Sequence, residues 1–182
     1  DQVSIGGSLA SNIHGRGLQF PPFISDIESF RIIDASGRSV ECSRTENQEL
    51  FSLAIGGYGL FGVVTHVTLR LVPRCVVKRM VEVIAVRNLM PRIDAAIEDG
   101  FIFGDCQYSI DLHGDEEFHP GVFSCYRPVS DDTPVPEETR HMSPSDWANL
   151  YRLARTDKEK AFAKYEQFYL GTSGQVYWSD AH

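Results

Sequence analysis

The clearest alternation in the chain runs over residues 63–72. There Val63, Thr65, Val67, Leu69 and Leu71 fall on one side and His66, Thr68 and Arg70 on the other. A period of two predicts a strand with one covered face, and leaves His66 on the outer face. Residues 27–35 (Ile-Glu-Ser-Phe-Arg-Ile-Ile-Asp-Ala) predict a second strand, Ser36-Gly37 a turn, and residues 39–43 a short return strand. Between them and the first strand, residues 47–55 place Leu50, Phe51, Leu53 and Ala54 at helical spacing, and the run 56–62 is too rich in glycine to continue that helix.

Pro73-Arg74 reads as a boundary. Beyond it the pattern predicts a strand over 76–86, an amphipathic helix over 89–98, and strands over 103–112 and 121–126. A polar, proline-rich loop spans 128–144. A helical run capped at Ser145-Asp146 then reaches Tyr169, with a second capping signal at Thr156-Asp157. The last residues, 174–182, are aromatic and strand-like. This order predicts an α+β fold, and no internal repeat or low-complexity segment is present.

Composition narrows the function classes. Lys and Arg total 17 against 25 Asp and Glu, a net charge of −8, so the chain lacks the positive field that nucleic acid or anionic lipid requires. No apolar stretch is long enough to predict a transmembrane helix, and no signal peptide opens the sequence. Cys42, Cys75, Cys106 and Cys125 have no metal-site spacing and are expected to be free thiols, which points to a cytoplasmic setting. The start, directly into Gly6-Gly7 without an initiator Met, and the abrupt aromatic end predict a fragment of a longer protein.

Chemistry concentrates in two glycine clusters. The first, from Ser4 to Gly17, contains Gly6, Gly7, Gly15 and Gly17 with small residues at Ser8, Ala10 and Ser11 and a histidine at His14. Such a run lets backbone N–H groups approach a flat or anionic ligand; a tight turn before a short helix is the alternative reading. The second, Gly57-x-Gly59-x-x-Gly62, matches the dinucleotide fingerprint in spacing only. That fingerprint needs a strand before and a helix after, and here the predicted order is reversed. His113 and His119 flank Gly114-Asp115-Glu116-Glu117 without ligand spacing, so a solvated acidic loop is expected and no metal. No nucleophile-elbow or Cys-His pattern supports hydrolysis.

Taken in order, Gly6-Gly7-Ser8, His14-Gly15-x-Gly17, the strand 27–34 with its Gly37 turn, Glu49-Leu50-Phe51, Gly56-Gly57, and Gly62-Val63-Val64-Thr65 through Leu71-Val72-Pro73 resemble one family. It is the vanillyl-alcohol-oxidase type of flavoproteins, with a PCMH-type FAD-binding domain. The form Ala10-Ser11-Asn12-Ile13-His14-Gly15 is similar to sugar-lactone, alditol and decaprenylphosphoryl-ribose oxidoreductases. The resemblance implies that residues 1–74 are the C-terminal half of the FAD-binding domain and residues 75–182 the start of an α+β substrate domain.

It further implies FAD contacts, mostly through backbone, at Ser4, Ile5, Gly6, Gly7, Ser11, His14, Gly15 and Gly17 along the isoalloxazine and ribityl side, and at Val64 near the adenosine end. His14 and Arg16 are the candidate catalytic residues, placed near the flavin face, where a positive charge tunes the redox potential. The implied reaction takes a hydride from a hydroxyl-bearing carbon of a sugar, sugar lactone or polyol to flavin N5. The partners are that small molecule and the remainder of the parent chain. The pyrophosphate loop of the family has no counterpart in these residues, so a fragment that folds without retaining FAD is the alternative. Covalent attachment, electron acceptor, catalytic base and oligomeric state are left open.

Overall fold

The computed structural model describes residues 4–109 and 118–181. Its backbone contacts divide it into two compact units. The first draws on Asp1–Gly15 and Phe20–Pro73, the second on Arg16–Gln19 and Arg74–His182. Residues 16–19 and Arg74 thus belong with the second unit.

The first unit begins with the short helix α1 (Ile5–Ala10), whose opening turn contains Gly6 and Gly7. This corrects the reading of these glycines as a turn preceding a helix. Ser4 caps the helix, its Oγ accepting from the Gly7 N–H at 3.0 Å, and so satisfies one of the unpaired donors of the first turn. Strands β1 (Ile27–Ile33) and β2 (Ser39–Ser43), helix α2 (Gln48–Ala54) and strand β3 (Val63–Leu69) follow. The strands form an antiparallel sheet in the order β2-β1-β3. Leu9, Ile27, Phe30, Ile32, Cys42, Phe51 and Ala54 make the core, with the rings of Phe30 and Phe51 stacked at 5.3 Å.

The face assigned to β3 needs correction. Val63 is 68% exposed, whereas Val64, Val67 and Leu69 pack on the core. The cause is a break in register: Arg31 pairs with His66 but Ile32 pairs with Val64, so Thr65 is the extra residue of a bulge. One extra residue inverts the alternation on either side of it. His66 is exposed, as the pattern predicts. The strand also stops at Leu69, and Leu71 and Val72 are exposed instead of continuing it.

The second unit is a four-stranded antiparallel sheet ordered β5-β6-β4-β7, built from β4 (Val76–Ala85), β5 (Phe103–Tyr108), β6 (Pro120–Pro128) and β7 (Val176–Trp178). Helix α3 (Leu89–Glu98) matches its predicted bounds, and its Ala96, Leu89 and Ile93 pack with Phe123 and Cys125. Helices α4 (Pro144–Thr156) and α5 (Lys158–Leu170) form the predicted interrupted run. The first cap is Ser143 and not Ser145. Ser143 Oγ accepts from the Asp146 N–H and the Asp146 carboxylate accepts from the Ser143 N–H, each at 3.1 Å, with Pro144 at the first helical position where its missing N–H costs nothing.

The four cysteines are free thiols, as expected. The acidic segment with His113 lies outside the described residues, as does the end of the strand predicted to reach residue 112. His119 is buried, its Nδ1 2.9 Å from the Ser109 carbonyl oxygen. Among the described residues no group of His, Cys, Asp and Glu is placed to hold a metal ion, and no helix is long and apolar enough to cross a membrane.

Candidate functional site

The two glycine clusters, which the sequence presents as separate motifs, meet in the first unit. The Gly56 N–H donates to the Leu9 carbonyl at 3.0 Å and the Tyr58 N–H to the Ala10 carbonyl at 2.9 Å, which ties the 56–62 loop to the C-terminal end of α1. The loop leads from α2 into β3, the reverse of the order a dinucleotide fingerprint requires, so the spacing of Gly57, Gly59 and Gly62 is not that motif.

Between these elements lies a pocket of about 370 Å³. Ser4, Gly6, Gly7 and Ala10 line it from the α1 side, Gly59, Phe61 and Gly62 from the loop, and Val63 and Val64 from β3. The size falls within the range of small-molecule sites, and the wall combines four glycines, where backbone can be approached, with apolar residues that include Ile32 and Ala54. Gly62 is held there by geometry: at φ +141° it occupies a conformation that L side chains rarely adopt, and a Cβ would collide with the Ile33 carbonyl oxygen. A wall of this kind suits a flat, polar cofactor segment that needs close approach and backbone hydrogen bonds.

Of the residues implied as cofactor contacts, the structure brings Ser4, Gly6, Gly7 and Val64 into this one wall. Val64 was expected apart from the glycine run, yet its carbonyl oxygen is 3.8 Å from where a Cβ on Gly6 would stand. Ile5 and Ser11 belong to the same helix and its C-cap and are exposed. His14 is exposed, with Nδ1 3.2 Å from the Gly15 carbonyl oxygen, and Gly15 is exposed beside it.

Gly17 and Arg16 are placed differently. Gly17 pairs in an antiparallel bridge with Phe103, the Gly104 N–H donates to the Arg16 carbonyl at 2.8 Å, and the Leu18 N–H to the Ile102 carbonyl at 2.9 Å. These residues extend the β5 edge of the second unit's sheet. There Arg16 Nη1 donates to Asp105 Oδ1 at 3.2 Å. Partial burial pulls the guanidinium's pKa down, but Asp105 and Tyr126 more than offset it and hold the group above its ordinary value. Any role of Arg16 as a lone positive charge is therefore modified by a carboxylate already in contact with it.

Gly59, Phe61, Gly62 and Val63 in the pocket wall, and Asp105 and Tyr126 around Arg16, were not singled out as site residues from the sequence. The glycines carried a signal, their spacing, that pointed to the wrong motif. Asp105 and Tyr126 carried none, because only strand pairing brings them to Arg16.

No family model matches the chain. Curated relatives do match parts of it. D-arabinono-1,4-lactone oxidase of Debaryomyces hansenii is 33% identical over 92 residues, 50% of this chain and 16% of that protein. The mitochondrial L-galactono-1,4-lactone dehydrogenase of Arabidopsis thaliana is 38% identical over 73 residues, covering 40% of this chain and 12% of that protein. Cytokinin dehydrogenase 4 of Oryza sativa subsp. japonica is 30% identical over 83 residues, 45% of this chain and 16% of that protein. All are FAD-binding oxidoreductases of the PCMH type, the family that the order of motifs resembles. The stretch shared with this chain is a small part of each of these longer proteins.

Proposed function

We propose that this chain is part of an FAD-dependent oxidoreductase, that its first unit supplies one wall of the FAD site, and that its substrate is a sugar, sugar lactone or polyol. The observation that carries the reading is the meeting of the two glycine clusters in one pocket, within a sequence whose relatives are lactone and cytokinin oxidoreductases. Ser4, Gly6, Gly7 and Val64 hold the cofactor against that wall. Ile5, Ser11, His14, Gly15 and Gly17 are the further contacts carried over from the resemblance, and His14 and Arg16 the candidate catalytic residues. FAD, when bound, supplies the two-electron acceptor, with N5 as the position that takes the hydride from the hydroxyl-bearing carbon.

What this chain's own residues contribute is binding and close approach. Glycine at 6, 7, 59 and 62 adds no side chain at those positions, so a ligand can approach the backbone there, beside Ser4 and the apolar residues Phe61, Val63 and Val64. A lactone or polyol is preferred over a cytokinin because of the form Ala10-Ser11-Asn12-Ile13-His14-Gly15.

The test is spectroscopic. The full-length protein is expected to be yellow, absorbing near about 450 nm as flavins do, and to be bleached under anaerobic conditions by a sugar lactone or polyol. A colourless full-length protein that resists reconstitution with FAD would overturn the reading. Bleaching by a cytokinin and by no sugar derivative would move it to the other group of relatives.

A further inference from the structure

We propose that the sheet of the second unit carries a subsite for the hydroxyl groups of the substrate, formed by Arg16 and Tyr126 in a small pocket walled by Phe103 and Val77, with Asp105 as the residue that positions Arg16. The proposal rests on the reading above that the substrate is a hydroxylated sugar or lactone.

The pocket measures about 190 Å³ and is lined by Arg16, Val77, Phe103, Tyr126 and Ser179. Strand pairing fixes its floor. Phe103 lies opposite Tyr126 across β5 and β6, and Val77 lies opposite Tyr177 across β4 and β7. Asp105, two residues beyond Phe103, projects from the same face and reaches Arg16. A guanidinium and a phenol thus line the pocket beside an aromatic ring and an aliphatic side chain, and the acid positions the guanidinium. A polyhydroxylated ring presents the complementary surface, with hydroxyls that both donate and accept and C–H faces that pack on apolar walls.

The Arg16–Asp105 pair contributes little to folding as it stands. Its side chains are 46% and 24% exposed, and pairs this accessible to water are screened and weak. Its partners can therefore exchange toward a ligand at small cost. Tyr126 is different: it is only 3% exposed and is set between cations. Arg79, buried to 4% exposure, stacks its guanidinium 5.4 Å from the Tyr126 ring centroid and 4.7 Å from that of Tyr169, and donates to Ser124 Oγ at 3.1 Å. No ion-pair partner faces Arg79 among the described residues, and its Nε is buried without a hydrogen-bond partner. A buried cation held by rings and one hydroxyl is costly, and the fold keeps it beside Tyr126, its cross-strand partner between β4 and β6. Burial is the larger influence on Tyr126 and pushes it up to about 12 against the pull of Arg79 and Arg16, so the phenol stays protonated and able to donate.

The experiment titrates two probes, D-arabinono-1,4-lactone and the hydroxyl-free γ-butyrolactone, into the flavin-loaded full-length protein by calorimetry. The hydroxylated lactone is expected to bind about tenfold or more tightly than the bare one, because a site built on hydrogen bonds rejects an analogue lacking its hydroxyls. Tyr126→Phe and Asp105→Asn are each expected to bring that ratio toward one, with flavin absorbance and melting temperature unchanged. Should Tyr126→Phe fail to fold, the near-isosteric, partly exposed Asp105→Asn carries the test alone. A preference that both variants retain, or no preference in the wild type while flavin is bound, would overturn the subsite and leave the flavin reading standing. Absence of flavin absorbance would overturn the reading instead, and the same titration on that protein would still judge the subsite.

Discussion

The guanidinium of Arg16 meets the carboxylate of Asp105 at 3.2 Å across 89 residues of sequence, on the sheet edge where Gly17 pairs with Phe103. A residue read from its neighbours as part of a glycine-rich cofactor segment is thereby attached, with Gly17, to a different unit from Gly6, Gly7 and Gly15.

Because both partners of this pair are accessible to water, its removal is expected to be nearly silent for folding. Asp105→Asn should change unfolding free energy by less than about 1 kcal/mol in urea titration, whatever it does to binding. A loss of several kcal/mol would mean that the pair anchors residues 16–19 to the sheet.

Gly62→Ala should be severely destabilising and Gly15→Ala mild. At Gly62 the new Cβ meets the Ile33 carbonyl at a positive φ, a combination costing about 1–3 kcal/mol or more, while at Gly15 nothing stands within 4 Å of the added methyl. Urea midpoints of the two variants check the contrast. Equal midpoints would show that the loop between α2 and β3 can relax.

Acid should destabilise the protein through specific carboxylates. Hydrogen bonds from the Ser36 hydroxyl and the Arg38 backbone N–H hold the Asp34 carboxyl well below its usual range, and Ser143 lowers Asp146 in the same way. A depressed native pKa contributes stability that is present above the unfolded value of about 4 and is lost as pH falls through the native one. The urea midpoint should therefore decline below about pH 4, and Asp34→Asn should flatten that decline. A midpoint independent of pH between 6 and 2 would contradict the assignment.

The thiols in the second unit's core should be inert. Burial pushes Cys125 up to about 12 and Cys106 up to about 11, with Asp105 adding to the effect at Cys106. Since the thiolate is the nucleophile, native protein at about pH 8 should show little iodoacetamide labelling of either residue, and denatured protein full labelling, by peptide mass spectrometry. The sign for stability is the reverse of the acid case. A raised native pKa contributes stability present below the unfolded thiol value of about 8.5 and lost as pH rises toward the native one. Rapid native labelling of Cys125 would place it outside the packed core.

Local pattern was enough wherever a residue's neighbours in sequence are also its neighbours in space. Strand β2 and helix α3 fall on their predicted bounds, because alternation and helical spacing report one covered face directly. Ser145, next to Asp146, offers the same local signal as a cap, yet Ser143 is the cap. What selects Ser143 is its spacing of three from Asp146, with proline between.

Taken by itself, the sequence determined the α+β character, the order of most elements and the two glycine clusters, since these depend on backbone propensity and near-neighbour spacing. Tertiary structure alone decided that the clusters share one pocket, that a bulge at Thr65 turns Val64 inward, and that Arg16 and Gly17 leave Gly6, Gly7 and Gly15 for the sheet that holds Asp105 and Tyr126. Those outcomes depend on hydrogen bonds and strand registers between residues far apart in the chain. No local periodicity encodes such pairings.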